Sequence, residues 1–386
     1  MENKILSIIV PSYNMETYLP KCLGSLVIDD KALLQKLDII IVNDGSKDRT
    51  SEIAHGFAED FPGVFRVIDK PNGHYGSCIN AALKVTVGLY VKVLDADDYV
   101  DRKNFCDFVR FISDEYDRGR VYDLLVTDYD DVDTGGAVIR ESKYGFPEGD
   151  GHTLYDVPKR MPRFTTHSVV YLLENIKGLG YSQKEGVPYT DTQWIIEPMV
   201  MVSSVRYLPL CVTKYLIGRD GQTMEYKTYM AQFHIVADIA KDMLSRYKSL
   251  MSICKPSASR YYQKELLRLI CSVYYRALYG HKEGCLCKIN ICAFDSALKE
   301  TPDLYVMSDK LDLPVMGGIG FKFIKEWRAK KRTDTMMFNV VDAYIKVAHP
   351  VYRVRSVLRR IGLVGAVVKC LGKVNNKRWL LRRIKG

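Results

Sequence analysis

Over its first 127 residues the chain alternates short apolar runs with helical stretches, and no other feature restricts its fold as much. Leu6-Ser7-Ile8-Ile9-Val10, Asp38-Ile39-Ile40-Ile41-Val42, residues 64–68, Tyr90-Val91-Lys92-Val93-Leu94 and Asp123-Leu124-Leu125-Val126-Thr127 read as strands. Residues 19–27, 48–61, 75–87 and 101–117 read as helices, with Ser46 or Asp48 able to cap the second. Strands that are apolar throughout and separated by helices imply an α/β fold whose mainly parallel sheet is covered on both faces. Residues 128–165, rich in Gly, Asp and Pro, read as irregular loop or hairpin. Beyond them the pattern turns helical at 226–251, 259–279 and 289–299, breaks at 302–320, and resumes at 321–348 and 352–371.

Open α/β sheets bind ligands beyond the carboxyl ends of their strands. Here those ends carry Pro11-Ser12-Tyr13-Asn14, Asn43-Asp44-Gly45-Ser46 and Asp95-Ala96-Asp97-Asp98. Carboxylates one residue apart, Asp95 and Asp97, suit a hard divalent cation such as magnesium or manganese, shared with phosphates. Asn72-Gly73-His74-Tyr75-Gly76 is a turn opening a helix, whose first amides suit an anion. An aromatic platform, an isolated carboxylate, a helix N-terminus and a metal pair in one crevice would bind a nucleoside diphosphate.

Composition excludes other classes. A hydrophobic content of 47% with 26% charged residues describes a folded chain, and no apolar run approaches the roughly 20 residues that span a bilayer. Ten cysteines without a paired framework, and no signal sequence ahead of the first strand, predict a reducing cytoplasm. His281, Cys285, Cys287 and Cys292 fit no zinc-finger spacing. The net charge of +10 is uneven: residues 321–386 hold 18 Lys and Arg against three acids, while residues 1–320 are net negative. Such asymmetry points to a polyanion, nucleic acid or an anionic membrane face.

Three segments together, Ile9-Val10-Pro11-Ser12-Tyr13-Asn14, Val42-Asn43-Asp44-Gly45-Ser46-Lys47-Asp48-Arg49-Thr50 and Val93-Leu94-Asp95-Ala96-Asp97-Asp98, resemble the family-2 inverting glycosyltransferases of bacterial surface-polysaccharide synthesis. These have the GT-A nucleotide-diphospho-sugar fold, and the resemblance covers residues 5–225. It implies that Pro11 and Tyr13 line a uracil pocket, with Glu16 on the nucleoside wall, and that Asp44 accepts the uracil imide hydrogen. Gly73 would sit at the nucleotide, Asp95 at the ribose or a metal-bound water, and Asp97 on the metal. Tyr189-Thr190-Asp191-Thr192-Gln193-Trp194 matches the segment carrying the catalytic acid: Asp191 would be the general base, Thr190 replaces the usual Glu, and Trp194 would wall the acceptor pocket. Thr165-Thr166-His167-Ser168, expected ahead of a helix, would bring His167 to the acceptor or donor sugar. Arg219, after a strand at 215–218, would clamp the diphosphate.

The expected organisation is a GT-A catalytic domain at residues 1–225, a helical region at 226–320 and a basic helical tail at 321–386. Within the catalytic domain, residues 1–127 would bind the nucleotide and residues 128–225 the acceptor. The expected activity is transfer of a sugar from a UDP-sugar to a hydroxyl of a glycan or lipid-linked acceptor, with Mn2+ or Mg2+. Rival readings are a polyprenyl-phosphate glycosyltransferase and a non-catalytic nucleic-acid or membrane binder. Residues 351–386 hold eleven Lys and Arg and no acid. Val354, Val357, Leu358, Ile361, Val364 and Val368 recur there at helical spacing, as in an interfacial helix drawn to anionic lipid. No nucleic-acid-binding signature is present. These readings predict a protein peripheral on the inner face of the plasma membrane.

Overall fold

The strands form where β-branched and aliphatic residues run uninterrupted. A computed structural model describes residues 4–146, 151–154, 156, 163–219, 232–279, 289–314 and 320–330. Two compact units, Met1–Met307 and Ser308–Gly386, make up the chain. In the first, nine strands form one sheet: β1 (Leu6–Ser12), β2 (Leu37–Asn43), β3 (Phe65–Asp69), β4 (Tyr90–Val93), β5 (Tyr99–Val100), β6 (Leu124–Val132), β7 (Val138–Ser142), β8 (Val169–Leu172) and β9 (Val205–Leu216). The spatial order is β3-β2-β1-β4-β8-β6-β9-β5, with β7 paired to β6. Every residue of β2 and of β6 is buried.

Strands β3, β2, β1 and β4 are parallel, so their carboxyl ends share one edge. Ser12 pairs with Asn43 and Asn43 with Asp69, which sets the β1 and β2 exits side by side. The helices Leu19–Leu26, Thr50–Asp60, His74–Leu83 and Arg102–Asp117 form within two or three residues of the expected bounds, except that the third stops at Leu83 rather than 87. Asp101 caps the last through a hydrogen bond from the Asn104 amide.

Two features of the sheet differ from expectation. The segment 165–168 precedes a strand, β8, and only then a helix, Leu173–Gly178. This strand is antiparallel to both β4 and β6, so the parallel half ends at β4. Strand β9 is also twelve residues long, where the sequence suggests only its end. Pro209 interrupts its pattern. The register against β6 jumps from Leu208 to Cys211 there, which leaves proline, without an N–H, outside the ladder.

Helices Phe233–Ile253 and Pro256–Tyr279 pack on the 3-10 turn Glu197–Met201, which directly follows helix Asp191–Ile196. Tyr261, Tyr262 and Tyr274 are buried in this layer, and Tyr275 is half-buried. In the second unit, the described residues form a short antiparallel strand pair, Leu313–Pro314 with Gly320–Phe321, and helix Phe323–Lys330. The rest of the basic tail, together with His281, Cys285 and Cys287, lies outside the described residues; Cys292 is exposed.

Candidate active site

The β1 and β2 exits are stitched to each other by side chains. Asn14 Oδ1 accepts from the Lys47 amide at 2.8 Å, and the Asn14 amide donates to Ser46 Oγ at 3.0 Å. Asp44, 3% exposed, follows β2. Its Oδ1 accepts from Lys70 Nζ at 2.5 Å and from the Gly73 amide at 3.0 Å, so the carboxylate is anchored before any ligand arrives. Gly45 is required next to it: its φ is +74°, and a Cβ would lie 2.9 Å from the Asn72 nitrogen.

At the β4 exit three carboxylates crowd together. Asp95 Oδ1 accepts from Tyr75 Oη at 2.9 Å. Burial pushes the Asp95 carboxyl up to about 7, and repulsion from Asp98 adds to it. Asp97 is paired through Oδ2 with Arg219 Nε. Asp98, 1% exposed, accepts from the Leu216 amide through Oδ1. Burial first, and Asp97 second, raise its carboxyl well above the usual range. His167 Nδ1 lies 3.2 Å from Asp98 Oδ2, yet that oxygen accepts no aligned hydrogen bond among the described residues. The His167 ring stacks on Tyr215 at 4.2 Å, and burial lowers its basicity. Below them Lys92, 1% exposed, donates to the His167 carbonyl at 2.6 Å, and burial pulls its ammonium down to about 7.

The donor atoms of Asp95, Asp98 and His167 lie within 4.8 Å of one another. Two carboxylates and an imidazole suit a divalent cation, and the unsatisfied Asp98 oxygen is the kind of atom such an ion satisfies. The expected ligand Asp97 is not in this set, because Arg219 holds its carboxylate.

Across the cavity Asp191 opens a short helix. Thr190 before it is fully buried, and Gln183 Nε2 donates to both its carbonyl and its hydroxyl, at 2.7 and 2.9 Å. Asp191 is open to the cavity but enclosed by its walls. Burial raises its carboxyl, while the Thr192 amide, Arg163 and His167 oppose the rise.

These groups line one cavity of about 880 Å3. Pro11, Tyr13, Asp44, Asp95, Asp97, His167, Asp191 and Arg219 all face it. So do Asn14, His74 and Tyr189, the described non-glycine residues with positive φ, at 53°, 63° and 64°. Left-handed backbone costs such residues on the order of 1 kcal/mol, and it clusters where function over-determines geometry.

Three expected residues are not among those that line the cavity. Trp194 does not wall the pocket. It is 0% exposed, edge-on to Tyr171 and Tyr181, because the helix turns its indole into the apolar layer below. Glu16 accepts from the Arg49 amide and ties the β1 loop to the next helix. Gly73 acts through its amide on Asp44. Residue types alone do not single out Lys92, Tyr75, Asp98 and Arg163. Of these, Lys92 carries a signal in the sequence, as the one charge within a buried apolar run.

The segment 7–172 matches the family model described as glycosyl transferase family 2. These residues form a family-2 glycosyltransferase domain. The uncharacterized glycosyltransferase EpsJ of Bacillus subtilis is 40% identical over 101 residues, 26% of this chain and 28% of that protein. The chondroitin synthase of Pasteurella multocida is 31% identical over 144 residues, 37% of this chain and 14% of that one. The chain therefore spans about a quarter of EpsJ and less of the synthase, so the likeness is that of a domain. Among solved structures, TarS residues 1–349 of S. aureus, in complex with UDP-GlcNAc, superposes with a TM-score of 0.57 at 20% identity, covering 79% of this chain and 84% of that one. This likeness shows that the glycosyltransferase domain has the GT-A fold and that the shared architecture continues beyond residue 172.

Proposed function

We propose that the protein is an inverting glycosyltransferase that moves a sugar from a UDP-sugar to a hydroxyl of a glycan or lipid-linked acceptor in bacterial surface-polysaccharide synthesis. One observation carries the reading: Asp44, Asp97 and Asp191, far apart in the chain, face a single cavity large enough for a nucleotide sugar. The UDP-GlcNAc complex of TarS supports uridine as the base.

In this reading Pro11 and Tyr13 hold the uracil ring, and anchored Asp44 accepts its imide hydrogen. Arg219 exchanges Asp97 for the diphosphate, which its planar guanidinium can grip in two places. Asp95, Asp98 and His167 would hold Mn2+ or Mg2+, whose charge would offset that of the departing diphosphate. Asp191 takes the proton of the acceptor hydroxyl. The hydroxyl oxygen then bonds to the anomeric carbon from the face opposite UDP. The bond from that carbon to the β-phosphate oxygen breaks, and its electron pair leaves with UDP. An α-linked donor thus yields a β linkage.

The test is UDP release over several UDP-sugars, with and without manganese, beside calorimetric titration with UDP. No turnover of any donor and no heat with UDP would end the reading. Full activity of Asp191→Asn would point instead to a polyprenyl-phosphate acceptor, which has no hydroxyl proton to remove.

We assign the basic residues 321–386 to the anionic inner face of the plasma membrane, by charge. No helix among the described residues is long and apolar enough to cross a membrane. Truncation after Lys330 should abolish salt-sensitive binding to anionic vesicles. Unchanged vesicle binding, or tighter binding to duplex DNA by the full chain, refutes the assignment.

A further inference from the structure

The cavity wall carries positive charge besides Arg219. Arg140 and Arg163 line it, as do Phe164, Thr165 and Thr166. Arg140 reaches in from β7, where Asp131 Oδ2 holds its Nε at 2.7 Å. Arg163 lies on the loop ahead of β8, close enough to Asp191 that its charge opposes the effect of burial on that carboxyl.

The Arg163 guanidinium is poorly matched by the protein. Its Nε lies 3.1 Å from Glu265 Oε2, but neither Nε nor Nη2 makes an aligned hydrogen bond among the described residues. Glu265 is also shared: its Oε1 accepts from Arg268 Nη1 at 2.6 Å. One buried carboxylate is thus shared between two guanidiniums. A guanidinium is a rigid fork of N–H donors shaped for a carboxylate or phosphate. The neighbouring position adds to the argument. Thr190, where the family resemblance implies Glu, is neutral and turned toward Gln183, so no second carboxylate beside Asp191 repels an anion.

We infer that the acceptor carries an oxyanion, a carboxylate or a phosphate, beside the hydroxyl that reacts, and that Arg163 with Arg140 binds it. The inference rests on the transferase reading and adds the chemical class of its acceptor. A strut that served only to neutralise Glu265 would not line the cavity.

The test uses the full chain saturated with UDP and Mn2+. Calorimetric titrations follow with methyl glucoside, methyl glucuronide and glucose 6-phosphate, a neutral sugar and its carboxylate and phosphate counterparts. At least one charged probe should bind about tenfold more tightly than the neutral one, and the stronger of the two names the anion. Arg163→Gln should erase that preference, and Arg163→Lys should keep some of it. UDP titration of each variant reports whether it is folded. Arg140→Gln, at a largely exposed residue, carries the same comparison if the Arg163 variants do not fold. If UDP binds but the three probes bind alike or not at all, or if the preference survives both Gln variants, the acceptor proposal falls and the donor site stands. If UDP itself does not bind, the transferase reading falls and takes this inference with it.

Discussion

Asp191 sits where two opposing effects meet. Burial favours its neutral form, while the Thr192 amide, Arg163 and His167 favour the carboxylate. Burial wins, so the group titrates above the ordinary Asp value of 3.8. A base must be ionised to accept a proton, so kcat/KM should fall as pH drops. The midpoint of that acid limb should lie above the ordinary Asp value; a flat profile down to pH 4 would exclude Asp191 as the base. Asp191→Asn should lower kcat by about 10²–10⁴-fold, with UDP affinity retained by calorimetry.

At the scale of elements, the Asp44 and Asp191 sides of the cavity are tied together. The segment before Asp191 is laid onto helix His74–Leu83. Asn80 Nδ2 donates to the Gln183 carbonyl, the Gln183 amide donates to Asn80 Oδ1, and the Gly186 amide donates to the Gly73 carbonyl. The approach is close enough that a Cβ on Gly76 would lie 2.0 Å from the Lys184 carbonyl oxygen. Gly76→Ala should cost about 1–3 kcal/mol in denaturant melts and lower kcat, since backbone must move. Gly24→Ala, on a helix with nothing within 4 Å, should be neutral or slightly stabilising. Behind the helix that Asp191 opens, Glu197 is 1% exposed, and burial pushes its carboxyl up to about 7 despite Arg246 at 2.6 Å. A carboxyl whose folded pKa exceeds its unfolded value destabilises the fold once ionised. The loss therefore develops from about pH 4.5 to about 7 and is complete above that. Glu197→Gln should add about 2 kcal/mol at pH 8 and nothing near pH 4, measured by urea melts at the two pH values.

For the molecule as a whole, the acids at the β4 exit are a stability cost that a bound cation should relieve. Asp95 and Asp98 are both buried beside like charge. An ion that binds only the folded state stabilises by mass action, about 2.7 kcal/mol at a hundred times Kd. Mn2+ should then raise Tm by about 2–4 °C, and His167→Ala should abolish the shift. A shift of equal size in His167→Ala would remove that histidine from the site.

The parallel half of the sheet was legible in the sequence, because β1, β2 and β4 are continuous apolar runs stopped by polar residues that must emerge at one edge. The same logic made Asp44, Asp95 and Asp97 readable as strand-end groups. Strand β8, only four residues long, and β9, broken by Pro209, carry too little local pattern to be read. Their existence is decided by pairing with β4, β6 and β5, partners distant in the chain. Tertiary structure alone decided that Trp194 turns inward, that Arg219 pairs with the Asp97 carboxylate, and that His167 and Asp98 meet. Sequence determines which groups leave each strand, since that follows from local periodicity. Which groups meet across the cavity depends on register and packing between segments as far apart as Asp97 and Arg219, 122 residues, and no local pattern contains that distance.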